Sequence, residues 1–446
     1  MPFDFESVDS GATAWVLASA ALVLLMTPGL AFFYGGLVRS KNVLGMLMQN
    51  FAAIALVGLT WVLVGFSLAF GGDGNRFIGN VDFAGLQHMG QTIPGYVENF
   101  AQIIPPTVFV AFQMMFAIIT VALITGSVAE RWKFGAFVPF AVLWAVLVYS
   151  PVAHWVFSPT GWAFQRGALD FAGGTVVHIN AGAAALALAL LLGRRRGWPK
   201  ERIRPHNVPF VMLGAGLLWF GWFGFNAGSA LGANQLAGFA FLNTNTATCA
   251  ALIAWIGVER LRDGKATAVG AASGAVAGLV AITPCAGFVS PLGSIAVGLL
   301  AGGACALAVS LKNRLRFDDS LDVVAVHLVG GIIGSLCVGL FSTVDVNTLG
   351  ADGLFYGGGA SLLGKQALVV LVVTIYSFAV TAVIGFLVNL VIKNRVPEEV
   401  EDEGLDTAVH GESAYELTSL YGSGGGGSQP LAGSERAPAH REGVSA

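Results

Sequence analysis

Eleven apolar stretches, each near the twenty residues that carry an α-helix across a bilayer, recur along the chain. They begin near Ala12, Leu44, Ala101, Gly135, Phe171, Val208, Leu236, Ala266, Pro291, Leu321 and Leu362. Polar residues gather between them, so the pattern predicts an all-α polytopic membrane protein. The connections then sort by charge. Eighteen of the 23 Lys and Arg residues follow odd-numbered stretches, in six groups running from Arg39/Lys41 to Lys393/Arg395. Only Arg76, Arg166 and Lys365 fall in the opposite connections. Basic loops stay on the cytoplasmic side, which puts the N-terminus outside and the C-terminus inside. An odd number of spans requires that outcome.

Two of the apolar stretches hold a histidine, and they are the fifth and the tenth: His178 in GTVVHINAGAAALALALLL and His327 in LDVVAVHLVGGIIGSLCVGL. Each histidine follows an aspartate by eight residues, Asp170 and Asp319. The chain therefore divides into two five-helix halves and one extra helix. Five is odd, so the second half starts on the other side of the membrane and is inverted relative to the first. The expected boundaries are an extracellular N-terminus over 1–11 and a transmembrane domain over 12–393. Within that domain the repeats cover about 12–192 and 208–340, and the eleventh helix about 362–393. After Lys393 the composition turns abruptly polar. Residues 394–421 read as a cytoplasmic segment able to order against a partner, and 422–446, rich in Gly, Ser, Pro and Ala, as a disordered tail.

Composition sharpens the class. Hydrophobic residues make up 55% of the 446 and charged residues 11%, against roughly 25% charged in an ordinary soluble domain. Sixty glycines fall mostly inside apolar runs, where small residues let helix backbones approach in lipid. A net charge of −3 argues against nucleic acid as a partner. The four cysteines, Cys249, Cys285, Cys305 and Cys337, lack the close spacing of a metal site and read as small packing residues. The N-terminal MPFDFESVDSGATAW lacks the positive segment of a signal peptide, so the first span is expected to stay in the mature protein.

An ionisable side chain at bilayer depth is costly unless it meets a partner or a polar pathway. One buried histidine is more often a satisfied core residue. A matched pair at the same ordinal helix of two repeats reads instead as the lining of a path, because a neutral imidazole donates on one nitrogen and accepts on the other. Zinc would need further ligands, and no Cys, Glu or Asp shares those turns. No cofactor is expected, and a His/Asp hydrolase lacks a nucleophile motif. Asp170, in DFAGGTVVH, reads chiefly as a helix cap for the amides of Gly173, Gly174 and Thr175. A second constellation is aromatic. Phe112 and Phe116 share a helical face, Phe157 ends HWVF, and Trp222 and Phe225 precede Ser229 in WFGWFGFNAGS. Rings beside a hydroxyl can hold a small cation by cation–π attraction and a hydrogen bond.

The stretches TPGLAFFYGGLVRSKN, ITGSVAERWKF, GALDFAGGTVVHINAG, PHNVPFVMLGAG, GWFGFNAGSA, LVAITPCAGFVSP, DDSLDVVAVH and GLDTAVHGESAY closely resemble the ammonium transporter family of the Amt/Mep/Rh group, in its Amt branch. The resemblance runs from about Ala12 to Tyr415. It implies a transporter rather than an enzyme: ammonium recruited outside, deprotonated near a phenylalanine gate, and conducted as ammonia through a twin-histidine pore, with separate proton transfer left open. Mapped by residue, it implies that Ser229, Phe112, Phe157 and Asp170 form or organise the recruitment site and that Phe116 and Phe225 form the gate. His178, His327 and Trp222 then line the pore. Phe157 departs from the family, where many members carry tryptophan, and a phenyl face attracts cations less than indole does. The resemblance further implies a homotrimer in the cell membrane, methylammonium as a substrate analogue, and a PII-type signalling protein at the cytoplasmic tail. The competing reading is an ammonium sensor that scarcely conducts.

Overall fold

The computed structural model describes residues 1–72, 75–97, 102–201 and 203–415. Among these the chain is helical without a named strand, and ten helices are long and apolar enough to cross a membrane. They are α1 (Ser10–Leu37), α2 (Ser40–Phe70), α3 (Pro106–Val128), α4 (Phe134–Gln165), α5 (Gly174–Leu192), α6 (Val208–Gly228), α7 (Gln235–Asp263), α9 (Pro291–Leu315), α10 (Val324–Phe341) and α11 (Ser361–Val391). Where the eighth expected span begins stands a shorter apolar helix, α8 (Ala268–Ile282), below the length of the other ten. The start expected near Ala101 falls just outside the described residues, and α3 begins at Pro106, where proline suits the first helical turn. The tail follows as α12 (Glu398–Glu403) and an ordered segment to Tyr415. Residues 416–446, and with them the expectation of a disordered tail, lie outside the described residues.

Close backbone approach does much of the packing. A methyl group at Gly214 would stand 2.3 Å from the Phe33 amide nitrogen, so α6 and α1 pack without an intervening side chain. Gly182 does the same between the two histidine helices: a methyl there would sit 2.4 Å from the Leu328 nitrogen. Both histidine helices open with a widened π-type turn, Gly174–Ile179 and Val324–Val329. Such turns shift the side chains they carry and recur at functional sites.

The loops separate into two faces. Those after α2, α4, α6, α8 and α10 all contribute to one cavity of about 470 Å³. Those after α1, α3, α5 and α9 meet on the other face in a buried ion-pair cluster. There Glu130 accepts from Arg39 and Arg195, and Asp318 accepts from Arg195. Arg131 lies against the Asp318 carboxylate at 3.9 Å. The tail closes this face. Glu401 accepts from the Arg196 amide and pairs with Arg395, Asp406 accepts from the Gly45 amide, and Tyr415 meets His206.

Candidate functional site

The cavity is floored by Phe116 and flanked by Phe157, Ser229 and Asp170. Asp170 caps α5 as the sequence suggested: its carboxylate accepts from the amides of Gly173 at 2.8 Å, Gly174 at 2.7 Å and Thr175 at 2.8 Å, and from the Thr175 hydroxyl. Gly173 takes φ +116° to begin this turn, a conformation glycine adopts at little cost. Asp170 thus both opens the histidine helix and presents negative charge to the cavity. Ser229 donates to the Phe225 carbonyl at 2.9 Å, one turn back, which leaves the lone pairs of its hydroxyl for a donor in the cavity.

Beneath the floor the rings stack in sequence. Phe116 and Phe225 lie 4.2 Å apart between centroids at 37°, both buried. Phe225 is followed by His178 at 6.1 Å, and His178 by His327 at 5.4 Å. The two histidines face each other Nδ1 to Nδ1 at 3.3 Å, a geometry in which one proton is shared and one ring donates to the other. His178 Nε2 meets no protein partner, so it is free to engage a small polar molecule. Trp222 lies stacked near His178, 5.3 Å away at 22°, and its indole N–H donates to the Thr283 hydroxyl at 2.8 Å. That bond fixes the indole beside the imidazole.

Phe112 does not border the cavity: it packs edge-on against Phe116, 4.9 Å between centroids, with Gly228 behind it, and so supports the floor. Asp319 is not a mirror of Asp170. It accepts one helix amide, Val324 at 2.7 Å, and leaves its other oxygen without a hydrogen bond. Burial and the neighbouring Asp322 push its carboxyl up to about 6, against the pull of Lys312. The reason is local. Asp170 precedes a left-handed glycine that turns successive amides toward it, whereas the left-handed residue before α10 is Asp322, and no such run of amides forms around Asp319. Neither Trp155 nor Trp162 lines the cavity in place of the missing tryptophan. Trp155 donates to the Phe77 carbonyl and packs on Tyr376.

Sequence reasoning passed over Gln113, a buried amide in the wall of the cavity whose Oε1 has no partner. A lone glutamine in the apolar run AFQMMF, one turn before Phe116, was the available signal. It also passed over Thr283 and the whole ion-pair cluster, although SVAERW, GRRRG and FDDS announced charge at helix ends. No group of three or more His, Cys, Asp or Glu placed to hold a metal occurs among the described residues.

A bundle of apolar helices with a solvent vestibule leading to a buried line of aromatic and imidazole rings defines a membrane transporter of a small polar solute. The chain belongs to the Ammonium Transporter Family, which it matches over residues 14–415. It is 53% identical to an ammonium transporter of Mycobacterium bovis, over 93% of this chain and 92% of that protein. Identity is 51% to an ammonium transporter of Bacillus subtilis, over 91% and 98%. The crystal structure of Saccharomyces cerevisiae Mep2 superposes with a TM-score of 0.81 at 35% identity, covering 88% of this chain and 89% of that one. A structure described as a sensor Amt protein gives 0.81 at 32% identity, covering 90% and 98%.

Proposed function

We propose that the protein transports ammonium by removing its charge before the membrane is crossed. The observation that carries this reading is the line of buried rings: Phe116 and Phe225 in contact, then His178 and His327 with facing nitrogens 3.3 Å apart. Moving a bare monovalent ion into low dielectric costs on the order of tens of kcal/mol, far more than two rings and a hydroxyl return. Ammonium is therefore recruited between Ser229 and Phe157, under the negative field of Asp170, and gives up one proton at the Phe116/Phe225 gate. Neutral ammonia then passes the gate, donating to and accepting from imidazole nitrogens. The released proton either returns to the outer solution, giving electroneutral transport, or crosses along the histidine pair, giving current. Potassium has no proton to lose, and selectivity follows from acid–base chemistry. Trp222 keeps His178 oriented.

In this reading the vestibule face is extracellular, the basic face with its tail is cytoplasmic, and the protein lies in the cell membrane with its N-terminus outside. The domain is divided as the repeats suggest, 12–192 and 208–340. A homotrimer with one pore per subunit, and a PII-type protein acting on residues 394–421, complete it. The likeness to the sensor Amt structure supports a second reading, in which the pore binds ammonium but scarcely conducts.

Liposomes holding the purified protein test both. Methylammonium and ammonium flux with accompanying current supports transport with separate proton transfer, and flux without current its electroneutral form. Absence of flux with retained binding favours the sensor. Replacing His178 or His327 by alanine is expected to change flux or ammonium-over-potassium selectivity by about tenfold, the value of one hydrogen bond to ammonia. Unchanged flux and selectivity in both variants would remove the histidines from the mechanism.

A further inference from the structure

Within α4 one helical segment reads SPVAHWVF and ends at Phe157. Its histidine, His154, is 1% exposed and takes no part in the pore. Its Nδ1 lies 2.9 Å from the carbonyl oxygen of Ala69, at the end of α2, and its Nε2 lies 3.0 Å from the carbonyl oxygen of Asn75, in the loop that follows. Carbonyl oxygens only accept. A neutral imidazole has one N–H and one lone pair, so it satisfies one of the two and turns its lone pair on the other. Only the imidazolium, with an N–H at both ends, makes both bonds.

We propose that His154 is a protonation-dependent clasp that positions the outer lip of the vestibule. Protonated, it ties both the end of α2 and the loop at Asn75 to α4. Deprotonated, it keeps one bond and releases the other. The rest of the lip is built on the same plan. The Arg76 carbonyl accepts from the Trp162 amide at 3.0 Å and the Phe77 carbonyl from the Trp155 indole at 2.7 Å, so three successive loop carbonyls are held by α4. Phe157 stands one turn beyond His154, its carbonyl accepting from Tyr96. A lip loosened at Asn75 thus loosens the seat of the ring that flanks the proposed recruitment site.

Among the described residues, the titratable groups on the surrounding elements include Tyr149 on α4, Tyr96 against Phe157, Tyr376 against Trp155, and the exposed Arg76 and Asp82 on the loop side. None of them hydrogen-bonds the ring, and no ion pair among the described residues includes His154. The contest is therefore between burial, which opposes the charge, and two carbonyl dipoles, which favour it. Acid closes the clasp: the second bond is present below the titration of the ring and is lost as external pH rises through it.

The functional half of this inference rests on the reading that ammonium is recruited between Ser229 and Phe157, and the test separates the two. In the full-length protein in lipid bilayers with ¹⁵N-labelled histidine, the signal missing from His154→Gln is expected to show both ring nitrogens protonated at the acid end and one at the alkaline end. Hydrogen exchange at residues 76–80, corrected for the intrinsic pH dependence, is expected to be slower at the acid end. A ring that stays in one neutral tautomer wherever the protein is folded overturns the clasp. Should His154→Gln fail to fold, the exchange measurement on the unaltered protein decides alone, and protection that does not change with pH overturns it. In transport, the half-saturating methylammonium concentration is expected to rise about three- to tenfold as external pH passes through the titration, and to stay flat in His154→Gln. A confirmed titration with identical transport profiles overturns the positioning role and leaves the ring chemistry standing. A normal clasp in a protein indifferent to Phe157→Ala would instead unseat the recruitment reading.

Discussion

The pore and the basic face bury ionisable side chains to the same depth and treat them in opposite ways. His178 and His327 are 1% and 3% exposed, and among the described residues their rings hydrogen-bond each other and join no ion pair. Glu130, Arg131, Arg195 and Asp318 are 0–5% exposed, and each meets an opposite charge or a set of hydrogen-bond partners. A buried ion is tolerated only when paired. The basic face pairs its ions and so uses charge as structure, stapling the loops after α1, α3, α5 and α9. The histidine pair has no countercharge, which opposes a resident ion and suits the proposed passage of a neutral solute. Even so, the pairing does not make the cluster a large net source of stability. Desolvating each ion offsets much of the attraction, and the cost appears when one partner is removed.

That contrast can be broken most forcefully at Arg195. Replacing it by methionine leaves Glu130 with Arg39 alone and Asp318 with only the more distant Arg131, and we expect a loss of about 3–5 kcal/mol in unfolding stability, read as a lowered Tm in detergent. His178→Ala, in the same assay, should cost less than the Arg195 change because no buried charge is orphaned. Equal losses would mean that the two regions are not built differently. A smaller effect is expected with pH. Burial pushes the Glu130 carboxyl up, but the Arg195 and Arg39 guanidiniums outweigh it and hold it below its usual range. Burial likewise pushes Asp318 up, and the hydrogen bonds and charge of Arg195 hold it down. Groups depressed in the folded state stabilise above their unfolded values, about pH 4, and lose that contribution as pH falls through their folded values. Acid unfolding followed by circular dichroism should therefore steepen below about pH 4, and do so less in a Glu130→Gln variant. The smallest effect belongs to the vestibule. Phe157→Trp adds a stronger cation–π face worth about 0.5–1 kcal/mol, so the half-saturating ammonium concentration should fall about two- to fivefold. An unchanged value would place recruitment on Ser229 and Asp170 instead.

Much of this was legible in the chain. The apolar runs located the helices to within a few residues, and the basic residues separated the loops after α1, α3, α5 and α9, which share the ion cluster, from those that line the vestibule. Asp170 was readable as a cap because the amides that donate to it belong to its near neighbours in sequence. The i, i+4 spacing of Phe112 and Phe116 told that they share a face, not that Phe112 packs behind Phe116. Gln113 and Thr283 were passed over for a related reason: a polar residue in an apolar helix is visible, but its partner is not.

What the sequence determined by itself is local or cumulative: helix lengths, the sidedness of charge, the cap at Asp170 and the presence of two histidines in matched helices. What only the tertiary structure decided is which distant groups meet. His178 and His327 stand 149 residues apart and face each other because Gly182 lets α5 and α10 approach to backbone contact. His154 meets two carbonyls because the lip of α2 folds onto α4. Helices that are apolar on every side carry no stripe to reveal which face turns inward. In such a bundle the orientation of each side chain is fixed by close packing between helices, and no periodicity along one helix records it.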